Sequence, residues 1–442
     1  MFVRLGLCVA IPAAAAVAHA QPALTLGDAA RLAAERAAPA AIARTRVDQA
    51  QARLTQRRSE LLPQLSGGLT QADRTFNTAT LGLQFELPGA GRPLFDPRGE
   101  VLGPVPTVDL RARVQQNLVD IGAWARLRAA RAAIGVADRE VLAQAEGAAI
   151  DAASSYVRAL RAEATLAMRG ADSTLAAELL RIARDQLAAG VGIALDVTRA
   201  EAQAALVRAQ LIAARADQQR TRVDLRRALA LPLDAPIAFG DSLGAHLDTA
   251  DPSVDQAMQD ALRTRADLQL LSAQQTATAS QLRATRAERL PSLGLVADRG
   301  VIGRNYSRML STYTWGVQLS LPAFDGFRRE GRVSEQAAHL RELDLREREL
   351  RAQVEADVHM ALLDLVAARE QTVATRERVR LGEQEVAQAR ERFAGGVAGN
   401  GEVITASLNL TSARTLLVDA LAQFQFARLA LARAQGSVTR LP

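Results

Sequence analysis

Apolar residues follow two different periods along this chain. Over most of its length they recur at helical spacing, in stretches rich in Ala, Leu and Arg that run on without a proline. Shorter segments between these stretches alternate strictly between apolar and polar residues, as in 312–321, where Tyr313, Trp315 and Val317 share one face. The pattern therefore predicts a mainly α-helical protein with a small β part.

The same order of segments occurs twice. Three short echoes carry the duplication, in the same order in both halves: residues 61–66 with 289–294, 118–122 with 323–327, and 186–191 with 392–397. Chance explains a single echo more easily than three in order. We therefore predict two copies of one repeat, at 21–231 and 253–442, joined by a linker at 232–252 that is rich in Pro, Gly and Asp.

Each copy is predicted to contain helices, a strand pair and a long helical hairpin. The strand pairs are expected at about 65–118 and about 292–322, and the hairpins at about 122–231 and about 326–436. With a rise of 1.5 Å per residue, each long helix would extend about 100 Å. One chain cannot cover the apolar stripes of such helices, so we expect self-association into a tube of coiled-coil hairpins.

The alternating segments have the pattern of membrane-spanning β-strands, which are about 10 residues long. They fall at Thr80–Leu87, 108–115, 293–298 and 312–321. Asp109, Arg111 and Arg113 share the polar face of the second segment, which suits a water-filled lumen. Tyr313 and Trp315 suit the aromatic girdle where a membrane meets water. The alternative is a soluble sheet with one face packed on a core.

Four strands cannot close a membrane barrel, because lipid tolerates no open sheet edge. Eight strands make a barrel that side chains fill, so an open conduit needs more. We therefore predict a homotrimer in which each protomer contributes four strands to a twelve-stranded transmembrane β-barrel surrounded by outer-membrane lipid.

Residues 1–20 predict a secretory signal peptide. Arg4 supplies a positive charge, an apolar run follows, and Ala18-His19-Ala20 places small residues at the cleavage site. The apolar run is shorter than the roughly 20 residues that span a bilayer. Cys8, the single cysteine, lies inside this segment, so no disulfide is expected in the mature chain.

The formal net charge of +6 rests on arginine alone, because the chain contains no lysine. Arginine alternates with Asp and Glu along helical stretches such as 341–349, which is typical of solvated helix faces. Aromatic residues make up only 3% of the chain, too few for platforms on which bases stack. We expect no nucleic-acid partner.

The sequence offers no candidate catalytic site. His246, His339 and His359 lie far apart, without the spacing of metal ligands. No Gly-rich phosphate loop follows a strand, and no nucleophile elbow occurs. We therefore expect no enzyme activity, no cofactor and no metal site.

The chain resembles the TolC-like outer-membrane efflux protein family over nearly all of its predicted mature length. The resemblance rests on the duplicated Leu-Pro before a strand, the Phe324-Asp325-Gly326 entry to a long helix, and two similar turns at 190–197 and 396–403. It implies a trimeric channel that is integral to the outer membrane and has a large periplasmic part. It also implies passive passage of substrates within a tripartite efflux or type I secretion system, together with a periplasmic adaptor (membrane fusion protein) and an inner-membrane pump.

The resemblance further implies roles for residues of both turns. Adaptor docking would fall on the turn residues Gly190, Val191, Gly192, Gly396 and Val397. The periplasmic gate and its selectivity would involve Asp196 and Glu402, as acids that form rings in the trimer. The residues also allow a plainer interpretation, in which the glycines end helices and each acid stabilises the start of the helix that it opens.

Three positions depart from the family pattern. In some members an Asp at the position of Asp196 is tied to a Tyr and an Arg, where this chain has Phe393 and Ala398. A second acid expected three residues after Glu402 is Thr405 here. A polar latch of the family type therefore lacks its partners in this chain.

The alternative function is that of a soluble periplasmic helical-hairpin adaptor or a coiled-coil structural protein without a barrel. An adaptor of that class would contain soluble lipoyl-like and barrel domains with Gly-rich turns. Two matched strand pairs flanked by long helices favour the channel instead.

Overall fold

The structure is a computed structural model, and it describes residues 23–81 and 98–442. The predicted signal peptide, residues 1–20, lies outside the described residues. Most of the alternating segment predicted at Thr80–Leu87 also lies outside them.

Within the described residues the chain forms eight α-helices and four β-strands. The first half contains α1 (Leu26–Arg36), α2 (Ala38–Ser59), β1 (Gln64–Asn77), β2 (Val101–Asp120), α3 (Ile121–Ala188) and α4 (Ala194–Ala228). The second half contains α5 (Val254–Thr264), α6 (Ala266–Ala287), β3 (Ser292–Gly303), β4 (Met309–Ser320), α7 (Arg328–Ala394) and α8 (Asn400–Ala434). Two helices, two strands, a long helix and a return helix thus follow one another twice.

The chain packs as two compact units, and each unit draws on both halves of the sequence. We call the first the helical unit; it comprises residues up to Ala38, Ala145–Ala261 and Ala356–Pro442. We call the second the sheet unit; it comprises Pro39–Gln144 and Leu262–Glu355, and it contains all four strands.

Small side chains allow close packing in the core of the helical unit. Ala30 of α1 and Ala153 of α3 are fully buried in one cluster with residues of α4 and α8. Tyr156 of α3 is also fully buried there, and its O–H donates to the carbonyl of Leu24 at 2.6 Å. Burial, aided by the neighbouring carboxylate of Asp241, raises the pKa of Tyr156 far above its ordinary value. The described start of the chain is therefore tied to the core by a neutral tyrosine.

Among the described helices, α8 has the length and apolar composition that would allow it to cross a membrane. Half of its most apolar window is buried inside the protein, and Phe424 has no exposed surface. Gln425 donates from its side chain to the carbonyls of Leu243 and Ala245, both at 2.9 Å. The apolar composition of α8 therefore reflects its place in the core of the helical unit.

The four strands form one antiparallel sheet in the order β1-β2-β3-β4. Its register places Leu110 between Leu69 and Val301, and it places Leu293 beside Leu319. Because side chains alternate between the two faces, most apolar positions of the four strands share one face, while Val296, Ile302 and Leu310 lie on the other. The apolar faces that the alternation predicts at 108–115, 293–298 and 312–321 thus join with that of β1 into one apolar surface.

The first strand lies earlier in the chain than the alternation at Thr80–Leu87 predicts, so that position was wrong for residues 80 and 81. Pairing of β1 with β2 ends at Asn77, and Thr78–Leu81 forms a short 3-10 helix. The side chain of Asn77 accepts from the backbone N–H of Ala79 at 3.1 Å, and the hydroxyl of Thr80 donates to the carbonyl of Asn77 at 2.7 Å. These local bonds satisfy the backbone in a turn, where a strand would need a neighbour.

Ion pairs hold the helices of the sheet unit where the strands begin and end. Arg126, near the start of α3, donates to Glu60, just after α2, at 2.9 Å. Arg332, near the start of α7, donates to both carboxylate oxygens of Glu288, just after α6, at 2.7 and 2.9 Å. Each strand pair is therefore framed by one bridged pair of helices.

Candidate functional site

The turn between α3 and α4 is closed by backbone hydrogen bonds and carries an exposed apolar residue. The amides of Val191 and Gly192 both donate to the carbonyl of Gln186, at 3.1 and 2.9 Å. Gly190 has a φ of +78°, and a Cβ on Gly192 would lie 2.9 Å from the backbone nitrogen of Leu187. The turn thus requires glycine at both positions, and it leaves Val191 81% exposed.

The turn between α7 and α8 has the same construction. The amide of Val397 donates to the carbonyl of Arg392 at 2.9 Å, and Gly396 has a φ of +72°. Val397 is 73% exposed. Each turn therefore presents one valine to its surroundings, held out by a glycine in left-handed conformation.

Two side-chain hydrogen bonds join the turns inside the helical unit. Gln186 at the end of α3 donates to the carbonyl of Phe393 at 2.9 Å. Asn400 at the start of α8 donates to the carbonyl of Asp196 in the first turn of α4, also at 2.9 Å. Between these bonds lies a buried apolar cluster that includes Phe393 and Val403. The predicted docking and gate residues are thus brought together at one end of four packed helices.

Asn400 is completely buried, and its side-chain oxygen accepts no hydrogen bond. An unsatisfied buried acceptor costs about 1–3 kcal/mol. The spacing of the echoes makes Ala194, which is small and apolar, the equivalent position in the other repeat. The turns therefore contain one polar group whose bonding is incomplete in this arrangement.

Each predicted gate acid lies beside an arginine. The carboxylate of Asp196 is mostly buried and lies 3.8 Å from the guanidinium of Arg199. Glu402 is about half exposed, and one of its oxygens lies 3.3 Å from the Nε of Arg392. Each acid thus has a neighbouring positive charge within its own protomer.

The three positions that depart from the family pattern make contacts of other kinds in the structure. Phe393 is buried in the apolar cluster between the turns. Thr405 donates its hydroxyl to the carbonyl of Gly401 at 2.9 Å, a bond within its own helix. Ala398 donates its backbone amide to the carbonyl of Arg392 at 3.3 Å. The two turns are joined by apolar packing and by the hydrogen bonds of Gln186 and Asn400.

The second candidate surface is the apolar face of the sheet. Tyr313 and Trp315 of β4 are 75% and 70% exposed, and they share this face with Val317 and Leu319. On β1, Leu65 and Leu69 are exposed on the same face. Such a continuous exposed apolar surface marks a site that contacts another protein or lipid.

The opposite face of the sheet is polar and carries a bonded charge cluster. Arg111 of β2 forms an ion pair with Asp298 of β3 and a second one, at 3.3 Å, with Asp109. It also donates to the hydroxyl of Thr312 on β4 at 3.3 Å. The cluster links three strands across a face that suits contact with water.

Sequence reasoning found the acids and the glycines but missed Gln186, Asn400, Arg199 and Arg392. A comparison of the two repeats position by position would have singled out Asn400, because the equivalent residue in the other copy is Ala194. Within the part of the chain that the structure describes, no group of three or more His, Cys, Asp or Glu side chains is arranged to hold a metal ion.

Comparisons with known proteins agree with this architecture. Residues 257–437 match the family model for outer membrane efflux proteins. Protein CyaE of Bordetella pertussis is 28% identical over 334 residues, which cover 73% of this chain and 69% of that protein. Proteases secretion protein PrtF of Dickeya chrysanthemi is 25% identical over 363 residues, which cover 79% of this chain and 73% of that protein.

The fold is also that of a solved structure. The outer membrane protein VceC of Vibrio cholerae superimposes with a TM-score of 0.73 at 19% identity, over 93% of this chain and 96% of that chain. The predicted fold class, mainly helical with a small four-stranded sheet, is therefore confirmed.

Proposed function

We propose that this chain, whose residues 257–437 match the family model for outer membrane efflux proteins, is the outer-membrane channel of a tripartite efflux or type I secretion system. It gives passive passage to substrates that a pump and an adaptor deliver, and it performs no catalysis itself. The observation that carries this function is the single exposed apolar face that runs across all four strands. Lipid is the partner that such a face fits when its reverse is charged and wet.

The channel is a homotrimer. The sheet of one protomer ends in two open edges, β1 and β4, and backbone groups at an open edge have no partners in lipid. Three such sheets, joined edge to edge, close a twelve-stranded barrel with no edge left. The polar face, with Arg111 and Asp298, then lines the lumen.

The turns at Gly190 and Gly396 form the docking surface for the periplasmic adaptor. Val191 and Val397 are exposed apolar residues next to backbone without side chains, which allows a partner helix to approach closely. The inner-membrane pump supplies the energy.

Asp196 and Glu402 control passage near these turns. In a trimer each acid is present three times around one axis, and rings of carboxylates favour cations over anions. Arg199 and Arg392 lie beside them and reduce that preference within each protomer. Ion selectivity thus depends on how each pair separates when the channel opens.

The names of the similar proteins indicate the kind of transport but do not identify the cargo. PrtF is named for the secretion of proteases, and the family model is named for efflux. Both names describe export, and the exposed apolar face of the sheet favours a channel over a soluble hairpin adaptor or a structural coiled coil.

The test is purification of the mature protein without and with detergent. We expect extraction only by detergent, a trimer band in gel electrophoresis that heating converts to monomer, and ion conductance in a planar bilayer. A freely soluble monomer without conductance would exclude the channel.

A further inference from the structure

Three arginines occupy the turn end of the β3–β4 pair. Arg299 lies on β3, and Arg304 and Arg308 lie in the turn that joins β3 to β4. All three are exposed, and none forms an ion pair or a side-chain hydrogen bond within the described residues. We call these three residues the arginine cluster.

Arg299 lies on the apolar face of the sheet. The register places it between Ala112 on β2 and Tyr313 on β4. Further along the same face of β3 come only Ala297, Leu295 and Leu293. An outward arginine costs about 2–4 kcal/mol at the middle of a bilayer but about 0–1 kcal/mol near its surface. Arg299 and Tyr313 therefore mark the level at which the membrane meets water.

Among the residues that the structure describes, no acid forms an ion pair with the cluster. Asp298 precedes Arg299 in sequence, but it faces the other side of the sheet and pairs with Arg111. Asp73 lies at the same end of the sheet on β1 and makes no ion pair within the described part of the chain. Within the described residues the cluster therefore presents unpaired positive charge, which favours binding of an anion.

The turn is held against the apolar face. The hydroxyl of Tyr306 donates to the side chain of Gln71 on β1 at 3.3 Å. Gln71 is in register with Val108, which is only 3% exposed although it lies on the apolar face. This bond restrains the turn, so less conformational entropy is lost when its arginines bind a ligand.

We propose that Arg299, Arg304 and Arg308 bind the phosphorylated headgroup of a lipid in the outer leaflet. Guanidinium groups bind phosphate oxygens through paired hydrogen bonds, which makes phosphate the fitting counter-charge at this level of the membrane. The turn end of the sheet faces outward, because the other strand ends continue into the helices that lie in the periplasm. This site rests on the proposed function, since Arg299 meets a headgroup only where the apolar face meets lipid.

The test compares lipid retention by purified trimers. Native mass spectrometry would measure binding of diphosphoryl lipid A and of the same lipid without phosphate. Arg299→Gln is the test variant, and Arg113→Gln is the matched control. Arg113 carries the same charge but lies on the polar face, opposite Asp298 in the strand register. We expect Arg299→Gln to weaken binding of diphosphoryl lipid A by about tenfold or more, while Arg113→Gln binds like the wild type.

A second variant separates charge from geometry. Arg299→Lys keeps the charge but loses the paired hydrogen bonds, so an intermediate affinity is expected. Equal loss in the two glutamine variants, or equal retention of phosphate-free lipid, would overturn the site. Conductance is recorded on the same samples: normal conductance with unchanged lipid binding rejects only the lipid site, whereas absent conductance in the wild type rejects the channel and the site together.

Discussion

At the scale of single residues, Asn400 is the turn residue whose buried side chain lacks one of its hydrogen bonds. Its amide holds the start of α8 to the start of α4, while its oxygen lacks a donor. A group with one bond made and one missing is sensitive to any relative movement of the two helices. Asn400 therefore reports on opening of the turns better than the exposed residues around it.

We predict a graded effect of two substitutions at this position. Asn400→Ala removes the bond to Asp196 but also the unsatisfied oxygen, so the local free energy of opening should change by no more than about 1 kcal/mol. Asn400→Asp buries a carboxylate against the carbonyl of Asp196 and should lower that free energy by several times as much. Hydrogen exchange of amides at 190–200 and 396–406 measures the opening.

Asn409→Ala is the control, because Asn409 lies on the same helix with an exposed side chain bonded to Glu385. Exchange at the turns should stay unchanged in that variant. If Asn400→Asp and Asn409→Ala exchanged alike, Asn400 would have no part in holding the turns.

At the scale of elements, the first helix is fixed by a capping box. The hydroxyl of Thr25 accepts from the backbone N–H of Asp28 at 3.1 Å, and the carboxylate of Asp28 accepts from the backbone N–H of Thr25 at 3.3 Å. Hydrogen bonds from Arg31 and then from Thr25 hold the pKa of Asp28 below its ordinary value. The charge state of one carboxylate therefore bears on the stability of α1.

We predict that α1 loosens in acid. A depressed pKa in the folded state means that the stabilisation is fully present above the ordinary pKa of Asp, near about 4, and is lost as the pH falls through the lower folded value. Asp28→Asn should remove this pH dependence and weaken α1 at neutral pH. Proteolysis or hydrogen exchange at 26–36 between neutral pH and acid measures both effects, and an unchanged acid response in the variant would contradict them.

The second prediction at this scale concerns the pair of Glu402 with Arg392. Arg392→Gln removes the neighbouring positive charge, so the cation preference of the channel should rise. Glu402→Gln should lower both the cation preference and the block by divalent cations. Reversal potentials of trimers in planar bilayers under a salt gradient measure the preference.

Glu335→Gln provides the control, since Glu335 is an exposed acid of α7 in the sheet unit, away from the turns in the chain. Its reversal potential should match the wild type. Unaltered cation preference and divalent block in Glu402→Gln would show that this acid forms no ring.

At the scale of the whole molecule, the two faces of β4 would meet different solvents in the proposed channel. Val317 and Gln318 are neighbours in sequence and both are exposed in the protomer. The register assigns Val317 to the apolar face and Gln318 to the polar one. The two exposed side chains have different surroundings, lipid and water, only after the sheet inserts into a membrane.

We predict that Val317→Arg impairs assembly and that Gln318→Arg does not. An outward arginine near the middle of the bilayer costs about 2–4 kcal/mol in each protomer, whereas an arginine in the lumen stays in water. The yield of heat-modifiable trimers in outer-membrane fractions measures assembly. Equal yields from the two variants would favour a soluble sheet.

Much of the fold was open to prediction because helix and strand periods are local. The alternation at 312–321 predicted the apolar face of β4, and the echoes predicted turns at Gly190 and Gly396. Residues 80 and 81 of the strand predicted at Thr80–Leu87 lie in a 3-10 helix instead, since β1 ends at Asn77. A local pattern does not specify where a neighbouring strand stops pairing.

The sequence by itself determined the helical and strand periods, the apolar faces of β2, β3 and β4, and the resemblance to outer membrane efflux proteins, because these depend on neighbouring residues and on the order of short motifs. Only the tertiary structure decided which distant groups meet. It placed Gln186 against Phe393 and Asn400 against Asp196, and it set Arg299 on the apolar face beside Tyr313. Such contacts join residues far apart in the chain, so they are fixed by how the helices pack and how the strands register.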